Sequence, residues 1–270
     1  LEEIPERLLV IGGGYIGLEL ATVYSALGSQ VTVVEMQSGL LPGFDRDLVR
    51  PLSARLKREL HQVMLETRVA GVEDAGDHLR VRFEGKDAPQ GEQRFDRVLV
   101  SVGRVPNTAG LGLENTRVRL DARGFIEVDT ERRSAEPTIF AIGDVAGPPM
   151  LAHKASFEGK RVAELIAGKP AAAWPRVIPS VVYTDPELAA CGVSEEQAKA
   201  EGRAVKVLRF PWGASGRATA SGSADGLTKL IVDAESEAVI GAGIVGSGAS
   251  ELIAEAALAI EMGATAEDVG

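Results

Sequence analysis

Near its start the chain runs through four apolar residues, Leu8-Leu9-Val10-Ile11, and then stops at three consecutive glycines. The pattern Gly12-Gly13-Gly14-Tyr15-Ile16-Gly17 leads into a helical stretch over 15–27 that ends at Gly28. A second apolar run, Gln30-Val31-Thr32-Val33-Val34, follows and ends on Glu35. Strand, glycine turn, helix, and a strand tipped by an acid leave few alternatives for the fold. Gly12 permits a tight turn, Gly14 lets the backbone approach a pyrophosphate, and Gly17 lets the helix pack closely on the strand. The helix N-terminus offers N–H groups and partial positive charge to phosphates. Glu35 is placed to accept the ribose hydroxyls of a dinucleotide. A 2′-phosphate would meet that carboxylate at a cost of several kcal/mol, on the order of a hundredfold in affinity. The next residues, Met36-Gln37-Ser38-Gly39-Leu40-Leu41, include no Arg or Lys to receive it. The pattern reads as NAD rather than NADP.

Composition narrows the class. A net charge of −10 gives no basic footprint for nucleic acid. The single cysteine, Cys191, excludes an intrachain disulfide framework, and His61, His78 and His153 are too scattered for a zinc site. No apolar run is long enough for a membrane helix and no signal peptide opens the sequence. The expectation is a cytoplasmic protein with no metal, no membrane and no nucleic-acid partner. The unusual figure is 31 glycines, which suggests close backbone approach to something flat or charged.

Periodicity divides the chain into three. Residues 7–104 read as an α/β unit: after the opening come a helix with Leu48, Leu52, Leu56 and Leu60 at four-residue spacing and strand-like stretches over 63–72, 78–84 and 94–102. Residues 105–175 carry a strand pair near 118–128, a buried strand over 138–142 ending in Gly143-Asp144, and a helix over 155–167. Residues 176–270 read as an α+β module. Its strands are predicted at 177–183, 204–210, 228–233 and 239–245. A capping box, Ser194-Glu195-Glu196-Gln197, opens one helix. A final amphipathic helix spans 251–262, with Leu252, Ile253, Ala256, Ala257 and Ile260 on one face.

A second motif enlarges the reading. Thr138-Ile139-Phe140-Ala141-Ile142-Gly143-Asp144 resembles the second FAD contact of the pyridine nucleotide-disulfide oxidoreductases. Gly12–Glu19, Leu41–Asp45, Ser101–Asn107, Met150–Ala155, Val182–Glu187 and Phe210–Ala218 resemble the branch of that family that oxidises dihydrolipoamide. The resemblance covers essentially the whole chain, in the family's order. It implies a Rossmann-like NAD-binding domain over 1–104, the carboxyl-terminal part of an FAD-binding domain over 105–175, and most of a dimer-interface domain, truncated, over 176–270. It implies oxidation of protein-bound dihydrolipoamide to lipoamide, with FAD and NAD as cofactors and NAD as hydride acceptor. The partners would be a second copy, in a homodimer, and the lipoyl domain of a 2-oxoacid dehydrogenase or glycine cleavage complex. Residues carried over as cofactor contacts are Gly12, Gly13, Gly14, Tyr15, Ile16, Gly17, Leu18, Glu19, Glu35, Val69 and Gly103, with Asp144, Met150, Leu151, Ala152 and His153 on the flavin. Tyr15 and Ile16 fit either the core or the nicotinamide pocket. Glu19 matches a glutamate that pairs in the family with a lysine this sequence lacks.

The family's thiol chemistry has no counterpart in these residues. Its C-x4-C pair and the His–Glu base are missing, no histidine follows His153, and Cys191 lies in an apolar context that reads as buried structure. No catalytic residue is therefore assigned. The sequence opens on Leu1, and a helix-start signal at Thr265-Ala266-Glu267-Asp268 lies one turn from the last residue. The expectation is an internal piece of the enzyme that binds NAD, binds FAD poorly and exposes core surface normally covered. Two other readings stand beside it: a non-enzymatic NAD-binding module, and another flavin reductase of the same family.

Overall fold

In the chain's computed structural model, which describes residues 3–270, the opening unit is β1 (Arg7–Ile11), α1 (Tyr15–Ala26) and β2 (Gln30–Val34). Leu8, Leu9 and Val10 are all buried, as a parallel strand covered on both faces requires. α2 (Arg46–Glu59) buries Leu48, Leu52 and Leu56 along one side. β3 (Gln62–Met64) then joins the parallel sheet. β4 (Thr67–Asp74), β5 (Leu79–Gly85) and β6 (Gln93–Phe95) make a separate antiparallel sheet, and β7 (Arg97–Val100) returns to the first, whose order is β3-β2-β1-β7. The predicted strands over 63–72 and 94–102 are thus each split between two sheets. Glu66, at φ 48°, makes the first break. Asp96 makes the second: its carboxylate accepts the Arg7 N–H at 2.8 Å, and its own N–H donates to the Arg7 carbonyl at 2.9 Å.

Residues 104–175 form a compact unit of their own, with α3 (Ala152–Ile166) as its one α-helix. The strand pair expected near 118–128 is a single bridge, Leu120 to Ile126. The buried strand expected over 138–142 is corrected in the same way. It makes one bridge, Phe140 to Arg133, and Ile142 is exposed. The turn through Asp129, with Arg132 at φ 63°, leaves no room for a second rung. α3 begins earlier than predicted because Leu151, in an extended conformation, is its N-cap without a side-chain hydrogen bond, so no cap residue marks the start.

The remaining elements are β8 (Ser180–Val182), β9 (Glu187–Gly192), α4 (Glu195–Ala200), β10 (Val205–Pro211), α5 (Gly216–Ala220), β11 (Leu227–Asp233), β12 (Val239–Gly246), α6 (Ala249–Met262) and α7 (Ala266–Val269). The strands form an antiparallel sheet in the order β10-β11-β12-β9-β8. β9 and α5 carry no pattern in the sequence that marks them as strand or helix. Leu252, assigned to the buried face of α6, is exposed; the face turned to the sheet is set by Ala249, Ile253, Ala256 and Ile260. The Thr265 capping box is formed, with the Thr265 N–H donating to Asp268 at 2.8 Å.

The residues up to Gly103 and those of Arg176–Gly270 pack together as one compact unit. One apolar cluster runs through both, from Leu8, Val33 and Leu52 to Val182, Leu188 and Val245. α2 lies so close to β12 that a Cβ on Gly243 would sit 2.2 Å from Leu48. Beside this contact Lys229, 1% exposed, inserts its ammonium among three carboxylates: Asp45 at 2.8 Å, Asp47 at 2.9 Å and Glu195 at 2.6 Å. Arg209 pairs with Asp47 and Glu195 from the other side. Burial opposes ionisation of both Asp47 and Lys229. The hydrogen bonds from Arg209 and Lys229 nevertheless hold the Asp47 carboxyl below its usual range, and the three carboxylates raise the Lys229 ammonium above the usual lysine value.

These shifts fix the sign of a pH effect. The stabilisation from Asp47 is present above the ordinary carboxylate value and lost as pH falls through the lowered folded one; that from Lys229 is present below the ordinary lysine value and lost as pH rises through the raised one. Lys229→Met, which removes the one cation that all three carboxylates share and leaves Asp45 without a cation, should destabilise the chain by about 3 kcal/mol at pH 7 in urea unfolding. In that variant the crowded carboxylates favour protonation, so the deficit should shrink as pH is lowered toward 4.

Candidate functional site

The carboxyl ends of β1, β2 and β7 lie side by side, with Ile11 in register with Val34 and with Val100. The glycine loop, Glu35 and Ser101 therefore meet at one edge of the parallel sheet. Gly12 takes φ +109°, and a Cβ there would lie 2.4 Å from the Ser101 carbonyl oxygen. A Cβ on Gly17 would lie 2.2 Å from the Gly12 oxygen and 2.5 Å from Ser101 Oγ. Gly14 differs: at φ −79° it is the N-cap of α1, and a Cβ there would meet nothing within 4 Å. No side chain caps this helix end and its first turn carries no acid. An open face on Gly14 beside an uncapped N-terminus suits a pyrophosphate.

Glu35 reaches back to the loop. Its Oε2 accepts the Gly13 N–H at 2.7 Å and its Oε1 the Gln37 N–H at 2.7 Å. Each carboxylate oxygen keeps a further lone pair for a hydroxyl. The loop is closed from the other side by the Leu41 N–H, which donates to the Gly13 carbonyl at 2.9 Å. Tyr15 packs at the margin of the core and Ile16 is half-buried. Leu18 is buried and its N–H donates to the Gly14 carbonyl at 3.0 Å, so it supports the loop from beneath. Glu19 accepts the Tyr183 N–H at 2.9 Å and so ties α1 to the end of β8. Val69 packs in the same cluster as Ile11, next to a β-bulge where Ala70 and Gly71 face Arg82 alone. Gly103, at φ +126°, has an open Cβ direction.

The second set of residues lies in the 104–175 unit. Asp144 sits in a single 3-10 turn, Gly143–Ala146, with its side chain 48% exposed. Arg104 Nη1 donates to Asp144 at 3.1 Å, and its Nη2 donates to the Met150 carbonyl. One guanidinium thus joins the aspartate to the segment Met150-Leu151-Ala152-His153 that starts α3, a role for Arg104 that the sequence reading did not assign. The N-terminus of α3 has no side-chain cap and no acid in its first turn.

Elsewhere, His61 is exposed, and His78, half-buried, pairs with Asp77 at 2.6 Å. Asp45, Asp47 and Glu195 lie close enough together to hold a cation, but the Lys229 ammonium already bonds all three. Cys191 is buried on β9, and burial pushes its thiol up to about 11.

A glycine loop bonded to an acid at the edge of a parallel sheet, in a chain that continues into an antiparallel α+β module, defines a class. The chain belongs to the pyridine nucleotide-disulphide oxidoreductase family: the family pattern matches residues 1–159 and the pattern of its dimerisation domain residues 178–270. Among its relatives, the dihydrolipoyl dehydrogenase of Vibrio cholerae is 52% identical over 269 residues, covering 100% of this chain and 56% of the relative. That of Thermus scotoductus is 49% identical over 270 residues, covering 100% and 58%. Of solved structures, LpdA from Mycobacterium tuberculosis superposes with a TM-score of 0.87 at 31% identity, over 98% of this chain and 57% of that one. The HOCl-induced flavoprotein disulfide reductase RclA from Escherichia coli gives 0.87 at 28% identity, over 98% and 60%. The chain spans about half the length of the curated relatives it matches.

Two substitutions separate packing from binding. Gly17→Ala should cost more than about 2 kcal/mol in chemical denaturation, since backbone and Ser101 occupy the methyl position. Gly14→Ala should leave stability unchanged or slightly raised yet abolish NAD binding measured by calorimetry. For Cys191, roughly one thiol in a thousand is ionised at pH 8, so maleimide labelling followed by mass spectrometry should be negligible in buffer and complete in denaturant.

Proposed function

We infer that this chain is the portion of a dihydrolipoyl dehydrogenase that binds NAD, supplies part of the FAD site and forms the dimer contact. The observation that carries the reading is the Gly12–Gly17 loop with Glu35 bonded to it, in a chain 52% identical from end to end to a dihydrolipoyl dehydrogenase. Residues 1–104 would be the NAD-binding domain, 105–175 the carboxyl-terminal part of the FAD-binding domain, and 176–270 the dimerisation domain.

Gly12, Gly13, Gly14 and Gly17 shape the loop, and the amides at the start of α1 receive the pyrophosphate. Glu35 accepts the adenosine ribose hydroxyls and repels a 2′-phosphate. Tyr15, Ile16, Glu19, Val69 and Gly103 border the same cofactor. On the flavin side, Asp144, held by Arg104, would accept a hydroxyl of the flavin's ribityl chain, and the uncapped start of α3 at Met150, Leu151, Ala152 and His153 suits a partial negative charge. Bound FAD supplies the electron relay between a dithiol and NAD. The substrate would be dihydrolipoamide on the lipoyl domain of a 2-oxoacid dehydrogenase or glycine cleavage complex, and the active form a homodimer. A cytoplasmic location agrees with this role; no helix among the described residues is long and apolar enough to cross a membrane. None of the chain's own residues is assigned to the thiol chemistry.

Glu35→Arg tests the cofactor assignment. Because the Gly13 N–H loses its acceptor, affinity for both dinucleotides should fall; the ratio of NADP to NAD affinity should rise by about a hundredfold. Calorimetry returning an unchanged ratio would remove Glu35 from the ribose.

A further inference from the structure

Beneath the Asp144 turn lies a buried ionic triad with no part in the reading given so far. Glu158, 1% exposed, and Lys154, 3% exposed, sit one turn apart on α3 and pair at 3.1 Å. Arg132 approaches the same carboxylate oxygen at 2.6 Å. The other oxygen, Oε2, accepts the Gly143 N–H at 2.7 Å. Lys154 Nζ donates to the Gly143 carbonyl at 3.2 Å and to the Gly147 carbonyl at 3.0 Å. The N–H and the C=O of Gly143 are therefore both gripped by one ion pair, and a third bond closes the far end of the turn. Gly143 takes φ +71°, and a Cβ on it would lie 3.0 Å from the Ala155 side chain, so the turn rests directly on α3.

A buried ion pair is a weak source of stability, because desolvation offsets most of its Coulombic gain. What this one supplies is geometry. We propose that Lys154 and Glu158, with Arg132 behind them, are positioning residues that lock the Gly143–Ala146 turn to α3, so that Asp144 and the N-terminus of that helix are presented to a flavin as one rigid unit. The proposal rests on the flavin reading of Asp144. Neither side chain touches the cofactor; both act through the Gly143 peptide.

The test uses the full 270-residue chain with four variants. Glu158→Gln strands the buried Lys154 ammonium and takes the carboxylate from half-buried Arg132, and amide hydrogen exchange over 143–147 should accelerate at least about tenfold, while amides around Val162 keep wild-type protection. Lys154→Arg keeps charge and donors and should stay near wild type. Glu158→Gln/Lys154→Met removes the stranded Lys154 charge: it should regain melting temperature relative to Glu158→Gln but neither the protection of the turn nor the chain's weak affinity for FAD, read by quenching of flavin fluorescence at chain concentrations high enough to saturate that weak site in the wild type. A merely structural pair would instead recover all three together, and that result, or unchanged exchange in Glu158→Gln, overturns the proposal. Asp144→Ala is the separate control. If it leaves FAD affinity at the wild-type value, the flavin reading fails, while exchange alone decides whether the triad holds the turn.

Discussion

No carbon can be added at residue 17. The space where its Cβ would lie is taken by the Gly12 carbonyl and the Ser101 hydroxyl, and the space beside Gly12 by the Ser101 carbonyl. Three chain segments thus meet backbone to backbone at one sheet edge, where Ser101 Oγ also donates to the Ile11 carbonyl at 2.9 Å. That contact brings the start of α1 down onto the ends of β1 and β7. Once it is there, Gly13 can donate to Glu35 and Gly14 is left facing open space. The phosphate binding proposed for this loop would therefore be a by-product of packing: the groups offered to an anion are those the helix leaves unsatisfied when it is held this close.

The same logic of holding backbone by buried charge recurs in each compact unit. In one, Lys229 reaches from β11 into the carboxylates at the start of α2 and of α4, where Asp45 also accepts the Glu195 and Glu196 N–H groups at 3.0 and 3.1 Å. In the other, Glu158 and Lys154 hold a turn against the helix that carries them. Apolar contact alone would allow sliding at such joints, since it is non-directional. Bonds from a fixed ion to named backbone atoms do not.

The helices that announced themselves in the sequence are those whose residues satisfy their own backbone locally. α2 shows its period, Ser194 accepts the Gln197 N–H and the Thr265 box closes; β1 and β2, which bond to other strands, were legible as continuous apolar runs. The misread segments depend on distant partners. The 138–142 stretch is as apolar as β2, but it has one neighbour, and Arg132 turns that neighbour away after a single bridge. β9 carries Ala, Ala and Cys, which no strand propensity marks; it is a strand because β12 lies beside it. The candidate loop was legible because a glycine pattern states a backbone requirement directly. The Lys229 cluster was not, since its members come from residues 45, 47, 195, 209 and 229 and meet only after the chain has folded. Nor was the role of Arg104, whose motif is readable but whose bonds run to Asp144 and Met150.

Glu35 shows how closely fold and specificity are joined at this site. Its two oxygens already accept the Gly13 and Gln37 N–H groups, so the carboxylate is oriented before any ligand arrives, and the entropy of fixing a flexible acid side chain is spent in folding rather than in binding. On the role proposed for Glu35, a sugar hydroxyl would meet an acceptor already in place, while a phosphate would meet a charge that cannot swing aside without releasing the loop. Rejection of a 2′-phosphate would accordingly be a property of the loop's own hydrogen bonding. Because the acid proposed to read the ribose also bonds the turn, selectivity could not be changed at residue 35 without also loosening the backbone offered to the pyrophosphate.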